Sequence, residues 1–89
     1  MIESESEIAK LTQEVLTLLL KKHRDYGDKN LERFGQFGIL VRSSDKVSRL
    51  ENLLKHQNEP EVVESIEDTW MDLAGYAIQG LRFARKERT

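Results

Sequence analysis

Apolar residues near the start of the chain recur at helical spacing: Ile8, Leu11, Val15 and Leu18 step by three and four positions. Ser4 and Glu7 stand just before them at capping-box spacing, so a first helix is predicted over about residues 5–23. Leu16, Leu19 and Leu20 widen its apolar stripe beyond what one neighbouring helix covers. The surplus fits either a subunit interface or a helix central to its own bundle. From Arg24 to Gly35 the periodicity stops, and Gly27 and Gly35 bracket a polar loop with one short turn at Leu31 to Phe34.

A second helix is predicted over about residues 36–56, with Phe37, Leu40, Val41, Val47, Leu50 and Leu54 on one face. The segment His56 to Pro60 breaks it. Pro60 then suits the first turn of a third helix over about 60–84, because the N–H it lacks would be unpaired there. The expected inward face of this helix is Val62, Ile66, Trp70, Leu73, Ala77 and Leu81, and Glu61, Glu64, Asp68, Asp72, Gly75 and Gln79 line its other side. Trp70, Phe34, Phe37 and Phe83 read as packing residues. The pattern gives an all-α bundle of three to four helices in one domain spanning residues 1–89.

Composition narrows this picture in two ways. A chain of 89 residues buries only a modest core, so completion of the bundle by a homo-oligomer is expected. The absence of cysteine excludes disulfides, thiolate metal sites and a thiol nucleophile. His23 and His56 are too few and too far apart for a zinc site. The acidic N-terminus is unlike a signal peptide, and no apolar run approaches the roughly 18 residues that span a bilayer. The expected location is cytoplasmic, with no membrane partner.

The charges are unevenly spread. Each end of the chain is acidic, while nine bases face five acids between Lys21 and Lys55. A basic middle flanked by carboxylates suits a phosphate-bearing small molecule better than duplex nucleic acid. Three groups of residues carry the candidate chemistry. Glu64, Asp68 and Asp72 stack at i, i+4 and i+8, where like charges repel unless a cation intervenes. Mg²⁺ is one such cation, and lysines or arginines from a neighbouring helix are the other. On the second helix Arg42, Asp45, Arg49, Asn52 and His56 form a polar stripe, with Lys46 beside it. Its bases either hold phosphate oxygens or cross-link the bundle. In the loop, His23 to Asn30 gathers a ring, cations and amides around Gly27. Tyr26 there is placed to stack on a base, and Lys22, Arg24 or Lys29 to reach phosphates; the same residues also suit an ordinary helix-capping turn. Arg82, Arg85, Lys86 and Arg88 read as a solvated helix C-terminus.

Three segments taken together resemble a known family: DYG at Asp25 to Gly27, GILVRSSDKVSRLENL from Gly38 to Leu53, and EDTWMDLAGYA from Glu67 to Ala77. They are similar to the small phage and bacterial proteins called nucleotide modification associated domain 1. That family is related to the all-α MazG and dimeric dUTPase nucleoside triphosphate pyrophosphohydrolases, which are oligomeric and use Mg²⁺ to cut between the α and β phosphates. The resemblance implies a MazG-like bundle and a nucleotide ligand. It also implies a hydrolytic site in which Asp72 and Asp68 are catalytic and Asp45, Glu64, Asp68 and Asp72 hold Mg²⁺. Arg42, Lys46, Arg49 and Asn52 would then bind the ligand, with Lys22, Tyr26 and Lys29 closing over it. The family's carboxylate pairs are incomplete in this chain: Thr69 stands three before Asp72, and the second helix has no E-x-x-E. This leaves a non-catalytic binder of a nucleotide, or of a nucleotide-derived immune signal, as the alternative to a hydrolase.

Overall fold

Helical periodicity and sparse breakers give three long helices and one short one in a computed structural model that describes residues 2–27, 29–56 and 58–88, with the side chain of Asn30 left aside. Helix α1 is Glu3–Tyr26, α2 is Lys29–Glu32, α3 is Gly35–Leu54 and α4 is Pro60–Glu87. The described residues contain no strand, and no helix among them is long and apolar enough to cross a membrane.

The ends of the helices have local causes. Pro60 opens α4 as expected. The capping box is not used: Ile2 stands at the N-cap without a side-chain hydrogen bond, and Ser4 lies inside α1. Helix α1 also runs on through Arg24, Asp25 and Tyr26, which the sequence reading placed in a loop. It stops at Gly27, whose N–H donates to the His23 carbonyl at 2.8 Å and whose φ of 71° and ψ of −178° belong to glycine alone. Only a tight break therefore separates α1 from α2, and Asp28 of the expected loop cluster lies outside the described residues. Helix α3 is started from afar. Glu87, at the end of α4, accepts from the Gln36 backbone N–H at 3.2 Å and from Gln36 Nε2 at 2.6 Å, placing a carboxylate where the helix dipole favours one.

Helices α3 and α4 form an antiparallel hairpin. Glu87 meets Gln36, Gly80 lies beside Ile39, Lys46 pairs with Asp72, and Arg49 reaches Thr69, so positions climb on one helix as they fall on the other. The seam between them holds the few buried side chains: Ile39, Leu50 and Phe83, with Thr69 and Gln79. Polar residues fit in it because their hydroxyls bond within their own helices. Thr69 Oγ1 donates to the Ser65 carbonyl at 2.6 Å, and Ser43 Oγ to the Ile39 carbonyl at 2.8 Å. Helix α1 docks more lightly against α4 and buries no residue completely. Lys86 reaches across to Glu32 of α2 at 3.9 Å.

The inward faces expected from periodicity are corrected by this packing. On α4 the seam is built from Thr69, Gln79 and Phe83, and Trp70 and Leu81 are left more than half exposed. On α3 only Leu50 of the expected face is buried; Phe37 is 74% and Leu40 61% exposed. Of the four aromatic residues read as packing groups, Phe83 alone is buried. Hydrophobic periodicity finds an apolar stripe but not what the stripe faces, and here much of it faces away from the chain's own core.

Candidate functional site

A cleft of about 310 Å³ opens where α1 crosses α4, with α3 behind it. Its apolar wall is Val15, Leu18 and Leu19 from α1 with Leu31, Met71 and Tyr76. Helical spacing explains the α1 contribution: the stripe that begins at Val15 continues through Lys22 to Tyr26, so one face brings aliphatic groups, a cation and a phenol to the same opening. The two helices meet beside Gly75, where a Cβ would sit in ordinary van der Waals contact, 3.5 Å from a Leu19 methyl. Gln79, Arg42 and His23 complete the lining, and Gly27 stands at the edge beside the exposed ring of Tyr26.

The polar centre is Asp72. Lys22 Nζ donates to its Oδ1 at 2.8 Å, and Lys46 Nζ approaches Oδ2 at 3.1 Å. One carboxylate is thus gripped on both oxygens by cations from two other helices. Burial pushes the Asp72 carboxyl up, but the hydrogen bonds and positive charges of Lys22 and Lys46 outweigh it and hold the group below the ordinary aspartate range. Asp72 is therefore ionised at neutral pH. Two lysines stand against one carboxylate, and Arg42 also lines the cleft.

The sequence candidates separate in space. Lys22, Tyr26, Arg42 and Asp72 line the cleft, and Lys46 joins them through Asp72. Arg49 lies further along the seam, where its Nε donates to Thr69 Oγ1 at 3.3 Å. Asn52, Lys29, Asp45, Glu64 and Asp68 are exposed and outside the cleft lining. The i, i+4, i+8 acidic stripe is split, because Asp72 turns to the lysines while Glu64 and Asp68 stay at the surface. Among the described residues no three His, Asp or Glu side chains come together in a group that could hold a metal ion.

Some lining residues carried no functional signal in the sequence. Leu18, Leu19 and Met71 look like ordinary core positions, and Gln79 like a solvated one. Only the pairing of α1 with α4 gives them a common purpose. No protein-family profile matches the chain, and comparison with curated proteins and with solved structures finds no match either.

Proposed function

We propose that the chain binds a nucleotide-type ligand in this cleft, with phosphate oxygens on Lys22, Lys46 and Arg42 and the base against the apolar wall and the Tyr26 ring. The observation that carries the reading is the Lys22–Asp72–Lys46 cluster at the end of an apolar opening. A pocket with apolar walls and a few convergent charges is the usual form of a small-molecule site. Lysines already gathered around one carboxylate need little rearrangement to receive a second anion, and Lys22, with its side chain 45% exposed, can swing to a phosphate. The resemblance to nucleotide modification associated domain 1 points to the same ligand class.

Binding without turnover is the form this arrangement supports best, because the aspartate that hydrolysis would use as a metal ligand is engaged by two ammonium groups. Asp72 is then a competitor of the ligand. Replacing it separates the two forms: Asp72→Asn in a sequestering protein frees both lysines and tightens nucleotide binding several-fold in EDTA. In a Mg²⁺-dependent pyrophosphohydrolase the same change abolishes turnover. Calorimetric titration of wild type and Asp72→Asn with nucleoside triphosphates, dinucleotides and cyclic nucleotides, in EDTA and in Mg²⁺, reads both outcomes when product is assayed by chromatography. Absence of binding across the panel in either medium contradicts the proposal.

A further inference from the structure

Gln79 lines the cleft, yet only 6% of it is exposed. Its Oε1 accepts from Arg82 Nη1 at 2.8 Å, one turn further along α4. A carboxamide has one acceptor oxygen and an NH₂ with two donors, whereas a guanidinium only donates. Arg82 therefore fixes which way the amide is turned, since the flipped amide would set N–H against N–H. Nε2 is left on the side away from the arginine, and among the described residues it makes no hydrogen bond. A buried donor without an acceptor is costly. In the wall of a cleft it is satisfied by an acceptor on whatever fills the cleft.

Position along the helix gives this donor a purpose. Asp72, held by Lys22 and Lys46, and Gln79 stand at i and i+7, two turns apart on one face of α4 and about 10 Å along its axis. Gly75 lies between them and brings no side chain to the cleft. A nucleotide whose phosphates meet the lysines and whose base lies on the apolar wall spans that distance, and it brings the ring edge farthest from the sugar to Gln79. Bases differ at that edge in the sense of their hydrogen bond. Hypoxanthine, guanine, uracil and thymine carry a carbonyl oxygen there, and adenine and cytosine an amino group. The carbonyl oxygen accepts from Nε2. An amino group would meet it N–H against N–H, with Oε1 already engaged by the arginine.

We propose that Gln79 reads the base, donating through Nε2 to a ring carbonyl oxygen, so that the cleft takes oxo-base nucleotides in preference to their amino counterparts. Arg82 is the positioning residue that holds the amide in its reading orientation. The inference rests on the nucleotide reading of the cleft and adds to it the chemical class of the base. A site that leaves a buried polar group unpaired discriminates more strongly than one that only fits a shape.

Calorimetric titration of the full chain in EDTA with two matched pairs, inosine against adenosine triphosphate and uridine against cytidine triphosphate, tests the preference. Wild type is expected to bind the oxo member of each pair about tenfold more tightly. Gln79→Met keeps the bulk and removes the donor, so the two members of each pair are expected to become level. Gln79→Glu keeps an oxygen for Arg82 and turns an acceptor to the ligand, so the preference is expected to reverse. Equal affinities or an amino preference in wild type overturn the inference and leave the nucleotide reading in place, as does a preference that Gln79→Met leaves unchanged. Failure of all four nucleotides to bind removes that reading and this inference with it. Should the variants not fold, the Gln79 side-chain amide protons of isotope-labelled wild type decide. A downfield shift with inosine but not adenosine triphosphate supports the inference, and no difference between the two overturns it.

Discussion

Asp72 and Thr69 show how much a single polar side chain contributes to this small core. With its pKa below that of a free aspartate, Asp72 stabilises the fold at every pH above its unfolded value of 3.8, and that contribution is lost as pH falls through the lowered folded value. Each of its ion pairs is partly exposed and contributes about 0.2–1 kcal/mol. Urea midpoints of wild type and Asp72→Asn are therefore expected to differ at pH 7 and to converge in acid below the ordinary aspartate range. A gap that stays constant with pH would contradict the pairing. Thr69 is 2% exposed; its hydroxyl donates to Ser65 and accepts from Arg49 in the seam. Thr69→Val keeps the shape and removes both bonds, so a loss of about 1–2 kcal/mol is expected in chemical denaturation. The role of Thr69 was not legible in the sequence, because a threonine beside a tryptophan looks like a solvent-facing residue until the partner helix is known. Pairing of Asp72 with bases of a neighbouring helix was one of the two readings its acidic row allowed.

At the scale of elements, the long helices were largely legible. Pro60 fixed the start of α4, and the periodic stripes placed α3 within two residues at either end. Rotation of the helices about their own axes was not legible. A helix turns its most apolar stripe toward whatever covers it, and for α3 and α4 the chain itself covers the flank of that stripe. Helix α1 is longer than its pattern suggests at both ends, because it starts ahead of the unused capping box and the glycine that stops it lies four residues beyond His23. Lys22, Lys46 and Asp72 were each legible as candidates. Their convergence depends on the docking of α1 across 50 positions of sequence, which local patterns do not encode. That docking is light, so the helices are expected to differ in local stability. Backbone amides in the middle of α1 should exchange with deuterium faster than those near Ile39, Leu50 and Gln79, and a cleft ligand should slow exchange at Leu18, Leu19 and Lys22. Equal protection in all three long helices would mean that α1 is part of the core.

For the whole molecule, the asymmetry of the hairpin organises everything else. One face is polar at its centre, partly roofed by α1, and holds the cleft; the other is apolar and open. Native mass spectrometry of the full chain with the nucleotide panel in EDTA tests nucleotide binding in the cleft most directly, because it counts chains and ligands in one spectrum. The expected species carries one nucleotide per chain, with ligand lost in Lys22→Ala; spectra in which no nucleotide adds to the protein at any concentration would contradict it.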